Sequence, residues 1–345
     1  MPPVTALALG ATLAAASLPA QADLVILQYH HISDRTPPST STSVSLFKAQ
    51  LAMIDRQGLP VVPLESGTRQ ALGQTDGKDP ERQAVAITFD DAYDSIVTTA
   101  APLLADRGYP FTVFVNPEMV GHHGFMTWEQ LGRLADTPGV TIANHSADHG
   151  HLARGLDETE THWRERVAQS LDQAQHELTE RLGSAPPLFA YPYGEFDEGL
   201  EALIRERGWL AYGQQSGPVG RQTDPNRLPR FPMANAYGQL DSLRDKLNTL
   251  AFPVDTGALP DGIVSDNPPS LNLTLPEGWS TDRLTCFGSG VGRIPVEPGA
   301  NGSVTVSATE PFKSRRFRYN CTYPAGGGQF YWLSQPWLDL SRPED

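Results

Sequence analysis

Short apolar runs alternate with amphipathic segments over residues 24–252 of this chain. This alternation is typical of an α/β fold with parallel strands, and it excludes all-helical and all-β architectures for that region. Ligands of such folds bind beyond the carboxyl ends of the strands, so functional residues are expected directly after the apolar runs. Six runs are strand candidates: residues 24–29, 84–89, 110–115, 140–143, 188–191 and 228–233.

Two amphipathic segments between these runs are the clearest helix candidates. Apolar residues from Trp163 to Leu182 recur every three or four positions, which places them in one stripe of a long helix, and Gly183 predicts its end. A shorter stripe of the same spacing lies at residues 47–54. We therefore predict an α/β fold for residues 23–252, in the form of an irregular (β/α) barrel.

The N-terminal segment has the character of a targeting sequence. Residues 1–22 have no charged side chain and run from an apolar stretch into Ala20-Gln21-Ala22, which predicts a secretory signal peptide cut before Asp23. A periplasmic or secreted mature chain is then expected. No later segment has the length and apolar content of a transmembrane helix.

The charge balance narrows the choice of partners. The chain has 26 Lys and Arg against 40 Asp and Glu, a formal net charge of −14, which argues against nucleic acid as the main partner. Neutral or cationic partners fit this balance better. The sequence leaves the oligomeric state open.

The sequence changes character in its last quarter. Residues 253–269 are rich in Pro, Gly and Asp, which is typical of a linker. Period-two alternation in later runs, such as residues 303–307, then predicts antiparallel strands. The two cysteines of the chain, Cys286 and Cys321, are most simply a structural disulfide in an exported protein. We predict a small antiparallel β-domain over residues 270–345.

Two adjacent carboxylates follow the second predicted strand. The run at residues 84–89 continues directly into Asp90 and Asp91. Side chains on a regular strand alternate between faces, so both acids can serve one site only where the strand ends. Alternatively, one of them caps the following helix and the other is solvated.

A histidine cluster follows the fourth predicted strand. The chain has nine histidines, and His145, His149 and His151 lie within seven residues. Two imidazoles four positions apart, joined by a carboxylate from another strand end, form a ligand set for Zn²⁺ or a similar ion with open positions for water. An exposed polar loop is the alternative.

These segments together resemble a known family. The sequence TFDD at residues 88–91, HSADH at residues 145–149 and the tight turn PYG at residues 192–194 resemble the three motifs of the polysaccharide deacetylases of carbohydrate esterase family 4, the NodB-homology domain. The resemblance covers about residues 23–250. The opening QYHH at residues 28–31 and the form of the third motif are most similar to the branch that deacetylates poly-β-1,6-N-acetylglucosamine of biofilm matrices.

The resemblance implies a role for each motif residue. Asp91, His145 and His149 would hold one divalent metal ion, with zinc the first candidate and nickel or cobalt the alternatives. Asp90 would be the general base toward the attacking water. The backbone N–H of Tyr193 would bind the oxyanion that forms from the acetamide carbonyl.

Two features of the family are absent from this sequence. The Arg that orients the base is replaced by Ala190, and Arg230 is the candidate to take over its role. The late histidine that serves as general acid has no counterpart because no histidine follows His176, so the acid stays unassigned. The candidates for contact with substrate are Tyr191, Pro192 and His30.

The sequence thus predicts a metal-dependent hydrolase that removes N-acetyl groups from an N-acetylhexosamine polysaccharide, in the first place poly-β-1,6-N-acetylglucosamine. A carbohydrate-binding protein with a vestigial site is one alternative, and a deacetylase of chitin oligosaccharides or peptidoglycan is another. The retained Asp90 argues against the binding protein because binding alone needs no general base.

Overall fold

The computed structural model describes residues 23–75 and 83–344, so the predicted signal peptide at residues 1–22 lies outside the described residues. Within these ranges no helix combines the length and the apolar character needed to cross a membrane. The helices are α1 (Val44–Gln57), α2 (Leu64–Ala71), α3 (Ala101–Ala105), α4 (Trp128–Ala135), α5 (Glu160–Leu182), α6 (Glu198–Glu206) and α7 (Leu240–Lys246).

The strands fall into an N-terminal and a C-terminal group. The first ten are β1 (Leu24–Tyr29), β2 (His31–Ile32), β3 (Ser41–Thr42), β4 (Ala84–Phe89), β5 (Phe111–Val115), β6 (Val140–Asn144), β7 (Leu188–Ala190), β8 (Leu210–Tyr212), β9 (Phe231–Pro232) and β10 (Thr249–Ala251). The others are β11 (Ser270–Thr274), β12 (Thr285–Gly288), β13 (Gly292–Ile294), β14 (Val296–Pro298), β15 (Ser303–Ser307), β16 (Arg316–Gly326) and β17 (Gln329–Leu338).

A seven-stranded parallel sheet forms the centre of the N-terminal part. Its strand order is β8-β7-β6-β5-β4-β1-β9, and it curls into an open barrel with helices outside. The predicted irregular (β/α) barrel is confirmed. The sequence did not predict β8, which is only three residues long, and the run at residues 228–233 forms only the two-residue strand β9. Pro232 lies in β9 and Pro229 lies two residues before it, and neither residue has an N–H to donate to a neighbouring strand.

Helix α5 packs on this sheet as its periodicity predicts. Its buried residues form the expected stripe, which includes Trp163, Val167 and Leu171. Thr159 caps the first turn by accepting a hydrogen bond from the backbone N–H of His162. Gly183 ends the helix with a φ of 81°, a left-handed conformation in which glycine has no Cβ clash.

Two further sheets form the C-terminal β-region, the name used below for residues 270–344. One has the order β10-β17-β16-β12-β13, and the other is the antiparallel sheet β11-β15-β14. Strand β10 precedes the predicted linker and pairs in parallel with β17, so this region is continuous with the barrel part through a shared sheet. Phe317, Tyr319 and Trp337 are buried in its core.

The predicted disulfide is present in this core. Cys286 of β12 and Cys321 of β16 are directly paired across the two strands, and both side chains are fully buried. The bond closes a loop between residues 35 positions apart.

We expect the double variant Cys286→Ser/Cys321→Ser to lose about 3–4 kcal/mol of unfolding free energy, because an open loop of this length has more conformational entropy in the unfolded chain. Urea unfolding followed by tryptophan fluorescence measures the change. A reductant should destabilise the wild type and leave the double variant unaffected. Equal midpoints for oxidised wild type and variant would contradict the expectation.

Candidate active site

Four of the predicted functional residues line one cleft at the carboxyl ends of the barrel strands. This cleft has a volume of about 620 Å³, and His30, Asp91, His149 and Tyr193 line it. These residues follow β1, β4, β6 and β7, which are neighbours or near neighbours in the parallel sheet. The parallel order therefore brings segments far apart in sequence to one edge, as such sheets do.

The loops around the cleft contain most of the non-glycine residues with a left-handed backbone in the described chain. Six described residues other than glycine have a positive φ, and five of them lie in these loops. A left-handed non-glycine residue costs of order 1 kcal/mol or more and persists only where its surroundings enforce it. The five are Asp91 (70°), Ala92 (56°), Ser146 (68°), His149 (60°) and Tyr193 (58°).

Asp91, His145 and His149 form a compact group. The Nε2 atoms of His145 and His149 lie 3.4 and 3.3 Å from Oδ1 of Asp91. One ligand atom from each of the three residues lies within 4.8 Å of the others. Nδ1 of His145 donates a hydrogen bond to the carbonyl oxygen of Ala190 at 2.7 Å, which leaves the Nε2 lone pair directed toward Asp91.

This group fits a divalent metal ion. Among the described residues, His145 Nε2 and Asp91 Oδ1 are buried atoms without a hydrogen-bond partner, although buried polar atoms are normally paired. Burial opposes the charged form of His145, but the neighbouring carboxylates Asp91 and Asp90 outweigh it and raise the pKa of this imidazole. Burial lowers the pKa of His149 to about 4, which leaves this imidazole neutral and able to ligate at neutral pH.

Asp90 lies beside this group and forms a buried ion pair with Arg230. Both side chains have zero exposure. Nη1 and Nη2 of Arg230 donate to the two carboxylate oxygens of Asp90 at 2.7 and 2.9 Å, and Gln28 Nε2 donates to Oδ2 at 2.7 Å. Burial raises the pKa of Asp90, but the positive charge of Arg230 and the nearby histidines outweigh it and lower the pKa to about 2.

Arg230 reaches this position from inside the barrel. Its Nε donates to the carbonyl oxygen of Gly213 at 2.9 Å, and its guanidinium lies 5.3 Å from the ring centre of Phe114. Phe114 and Ala190 belong to the same buried cluster in the barrel. The guanidinium of Arg230 thus contacts the cluster that also contains Ala190.

The turn Pro192–Gly194 brings Tyr193 to the cleft. The Tyr193 ring stacks parallel to His151 with 4.1 Å between ring centres, and it meets His149 edge to face at 4.4 Å. Gly194 has a φ of 70°, and a Cβ at this position would lie 2.7 Å from Cβ of Gln214. The turn therefore requires glycine at this position, and it places the Tyr193 ring against His149.

The three residues predicted to contact substrate lie in different environments. Tyr191 is fully buried, donates a hydrogen bond to the carbonyl oxygen of Asn226 at 2.9 Å, and packs on Phe196, so its side chain is part of the core and not of the cleft. Pro192 is the first residue of the turn and is buried. His30 lines the cleft, with Nε2 4.0 Å from Oδ2 of Asp90.

Sequence reasoning missed a group of residues behind the turn. Glu195, which follows the third motif directly, has a fully buried side chain that pairs with Arg315 and Arg316. Arg316 and Arg318 of the C-terminal β-region also line the cleft. The sequence signal was the arginine-rich run at residues 315–318, which is more typical of a solvated strand face.

Comparison with known proteins agrees with this geometry. A sequence profile described as "polysaccharide deacetylase" matches residues 77–211. YxkH of Bacillus subtilis, named as a polysaccharide deacetylase, is 30% identical over 213 residues, which are 61% of this chain and 67% of YxkH. The poly-β-1,6-N-acetyl-D-glucosamine N-deacetylase of Escherichia coli K12 is 23% identical over 248 residues, or 61% of this chain, but the chain spans only 36% of that protein.

Solved structures support the fold assignment. The structure of IcaB from Ammonifex degensii matches with a TM-score of 0.55 and 22% sequence identity, over 66% of this chain and 97% of that one. The NodB-like barrel and the motif resemblance are thereby confirmed. The chain belongs to the polysaccharide deacetylase family.

Proposed function

We propose that this protein removes N-acetyl groups from poly-β-1,6-N-acetylglucosamine with the help of one divalent metal ion, zinc in the first place. The observation that carries the proposal is the Asp91, His145 and His149 group at the cleft, beside a buried Asp90 that is paired with Arg230. Relatives that bear the name of this polymer support the choice of substrate.

Asp91, His145 and His149 would hold the metal ion. When bound, such an ion polarises a carbonyl oxygen and lowers the pKa of water to near neutrality. The zinc ligand set of two imidazoles and one carboxylate leaves positions open, which suits this chemistry. The Ala190 carbonyl fixes the ring of His145 in the ligating tautomer.

Asp90 is the proposed general base. Its low pKa keeps the carboxylate ionised throughout the neutral range, so it stays a proton acceptor. The two-point contact with Arg230 fixes the plane of the carboxylate, and the Gln28 hydrogen bond restrains Oδ2. Arg230 thus acts by orienting the base, in the role that the family assigns to an Arg missing here.

His30 is the proposed general acid. Cleavage of the amide needs a proton on the departing nitrogen, and His30 lines the cleft on the side of Asp90, 4.0 Å from its Oδ2. The backbone N–H of Tyr193 is the proposed oxyanion donor, which is supported by the position of its turn against His149.

We also propose the division of the chain that the sequence suggests. A signal peptide at residues 1–22 would lead to a periplasmic or secreted protein, in keeping with a polysaccharide substrate outside the cytoplasm. Residues 23–252 would be the catalytic domain, residues 253–269 a linker, and residues 270–345 the C-terminal β-domain.

The first experiment measures acetate release from β-1,6-linked N-acetylglucosamine oligomers. We expect release by the protein reloaded with Zn²⁺ or Ni²⁺, and loss of release with a chelator because the three ligands then hold no ion. Chitin oligomers and peptidoglycan serve as comparison substrates. Release from these alone would contradict the proposed polymer, and no release from any of them would favour a binding protein.

Asp90→Asn should lower kcat by about 10²- to 10⁴-fold, because the amide cannot accept a proton. Zn²⁺ affinity, measured by titration calorimetry, should stay near the wild-type value since the three ligands are unchanged. The variant leaves Arg230 without its carboxylate, so circular dichroism must first show that it is folded. A folded variant with wild-type turnover would exclude Asp90 as the base.

His30→Gln should lower kcat on the amide substrate by about 10²- to 10⁴-fold. An activated ester such as 4-nitrophenyl acetate should be spared because its leaving group needs no proton. His31→Gln is the matched control, since the neighbouring His31 ring stacks on Tyr93 with 3.6 Å between ring centres. Equal losses on amide and ester would assign His30 another role.

A further inference from the structure

The carboxylate of Glu195 is an anchor directly behind the turn Pro192–Gly194. It has zero exposure and accepts hydrogen bonds from both parts of the chain. His151 Nδ1 lies 2.8 Å from Oε2, Arg315 donates from Nε at 2.9 Å and from Nη2 at 3.2 Å, and Arg316 donates from Nη1 at 2.9 Å. Burial opposes ionisation, but these hydrogen bonds outweigh it and lower the pKa of Glu195.

Arg316 contacts the same turn a second time, through the Tyr193 ring. Its guanidinium lies 5.1 Å from the ring centre, which is a cation–π distance. The same ring also contacts His151, stacked at 4.1 Å, and His149, edge to face at 4.4 Å. Tyr193 therefore contacts both a predicted metal ligand and an arginine of the C-terminal β-region.

Arg316 owes its position to the C-terminal sheet. It is the first residue of β16 and pairs with Leu338 of β17. Its neighbour Arg315 is buried and contacts Glu195 but does not line the cleft, whereas Arg316 does. The pairing of β16 with β17 therefore holds the backbone of Arg316 where its guanidinium reaches Tyr193 and Glu195.

We propose that Arg316 is a positioning residue, which holds the Tyr193 turn in the conformation that deacetylation needs. Tyr193 has a left-handed backbone conformation, which persists only when its surroundings enforce it. Arg316 contacts both the Tyr193 ring and the carboxylate of Glu195, which lies two residues later. The C-terminal β-region is then a working part of the active site. This inference rests on the proposed function.

The experiment compares full-length wild type with Arg316→Gln after metal loading. We expect kcat to fall about 10- to 100-fold because a misplaced oxyanion donor costs this much, while KM changes by less than about two-fold. Zn²⁺ affinity should be unchanged. Arg316→Lys keeps the charge and the reach to Glu195, so it should recover part of the loss.

Hydrogen–deuterium exchange gives a readout that needs no turnover. The amides of Gly194 and Glu195 donate within the turn, to Tyr191 at 2.9 Å and Pro192 at 3.1 Å. Their peptide should exchange faster in Arg316→Gln. Arg283→Gln is the matched control, since this exposed arginine of the same region lies 5.1 Å from the ring centre of Tyr323, outside the residues that line the cleft.

The outcomes separate the two proposals. A raised KM with unchanged kcat would make Arg316 a substrate-binding residue and overturn the positioning role, as would unchanged exchange of the turn peptide. The same losses in Arg283→Gln would mean a general effect of weakening the β-region and would also overturn it. If wild type releases no acetate from any substrate, the proposed function fails, while the exchange comparison still decides whether Arg316 holds the turn.

Discussion

The buried pair of Asp90 and Arg230 is the interaction on which the geometry of this cleft depends. Taking both charges out of water costs several kcal/mol for each ion, and only close geometry with further hydrogen bonds offsets that cost. The pair meets this requirement because Arg230 donates two short hydrogen bonds to Asp90. In addition, Arg230 donates to the carbonyl oxygen of Gly213, and Asp90 accepts from the side-chain amide of Gln28. It thereby ties the end of β4 to β1, to the end of β8 and to the start of β9, across the open part of the curled sheet.

A second constraint is the strain collected in the loops around that pair. Local hydrogen bonds hold these loops in place: the Asn144 side chain accepts from the backbone N–H of Ser146 at 2.8 Å, and the Ser146 hydroxyl accepts from that of His149 at 3.1 Å. Asn144 is the last residue of β6, whose carboxyl-terminal half is buried in the sheet. The positions of His145 and His149 are therefore fixed by hydrogen bonds from the end of β6, which reduces the reorganisation that binding a cation would need.

The parts of the site that the strand pattern predicted are local, whereas the missed contacts of Glu195 are not. Asp90, Asp91, His145 and His149 directly follow strands whose apolar pattern is visible, so their convergence follows from parallel topology. Glu195 meets its arginine partners across 120 and 121 residues, and no spacing rule relates such positions. Tyr191 was predicted to contact substrate but is buried, since it lies two residues after the buried Phe189 and side chains two apart on an extended chain share a face.

The ion pairs of Asp90 and Glu195 have one physical feature in common. The profile match at residues 77–211 contains Asp90, Asp91, His145, His149 and Glu195, whereas the arginines that pair with Asp90 and Glu195 come from later segments. In a chain with a net charge of −14, buried carboxylates need dedicated cations, and folding supplies them from Arg230 and from the C-terminal β-region. The chemistry and the counter-charges that position it are thus encoded in different parts of the chain, so a motif can be intact in sequence while its activity depends on residues far outside it.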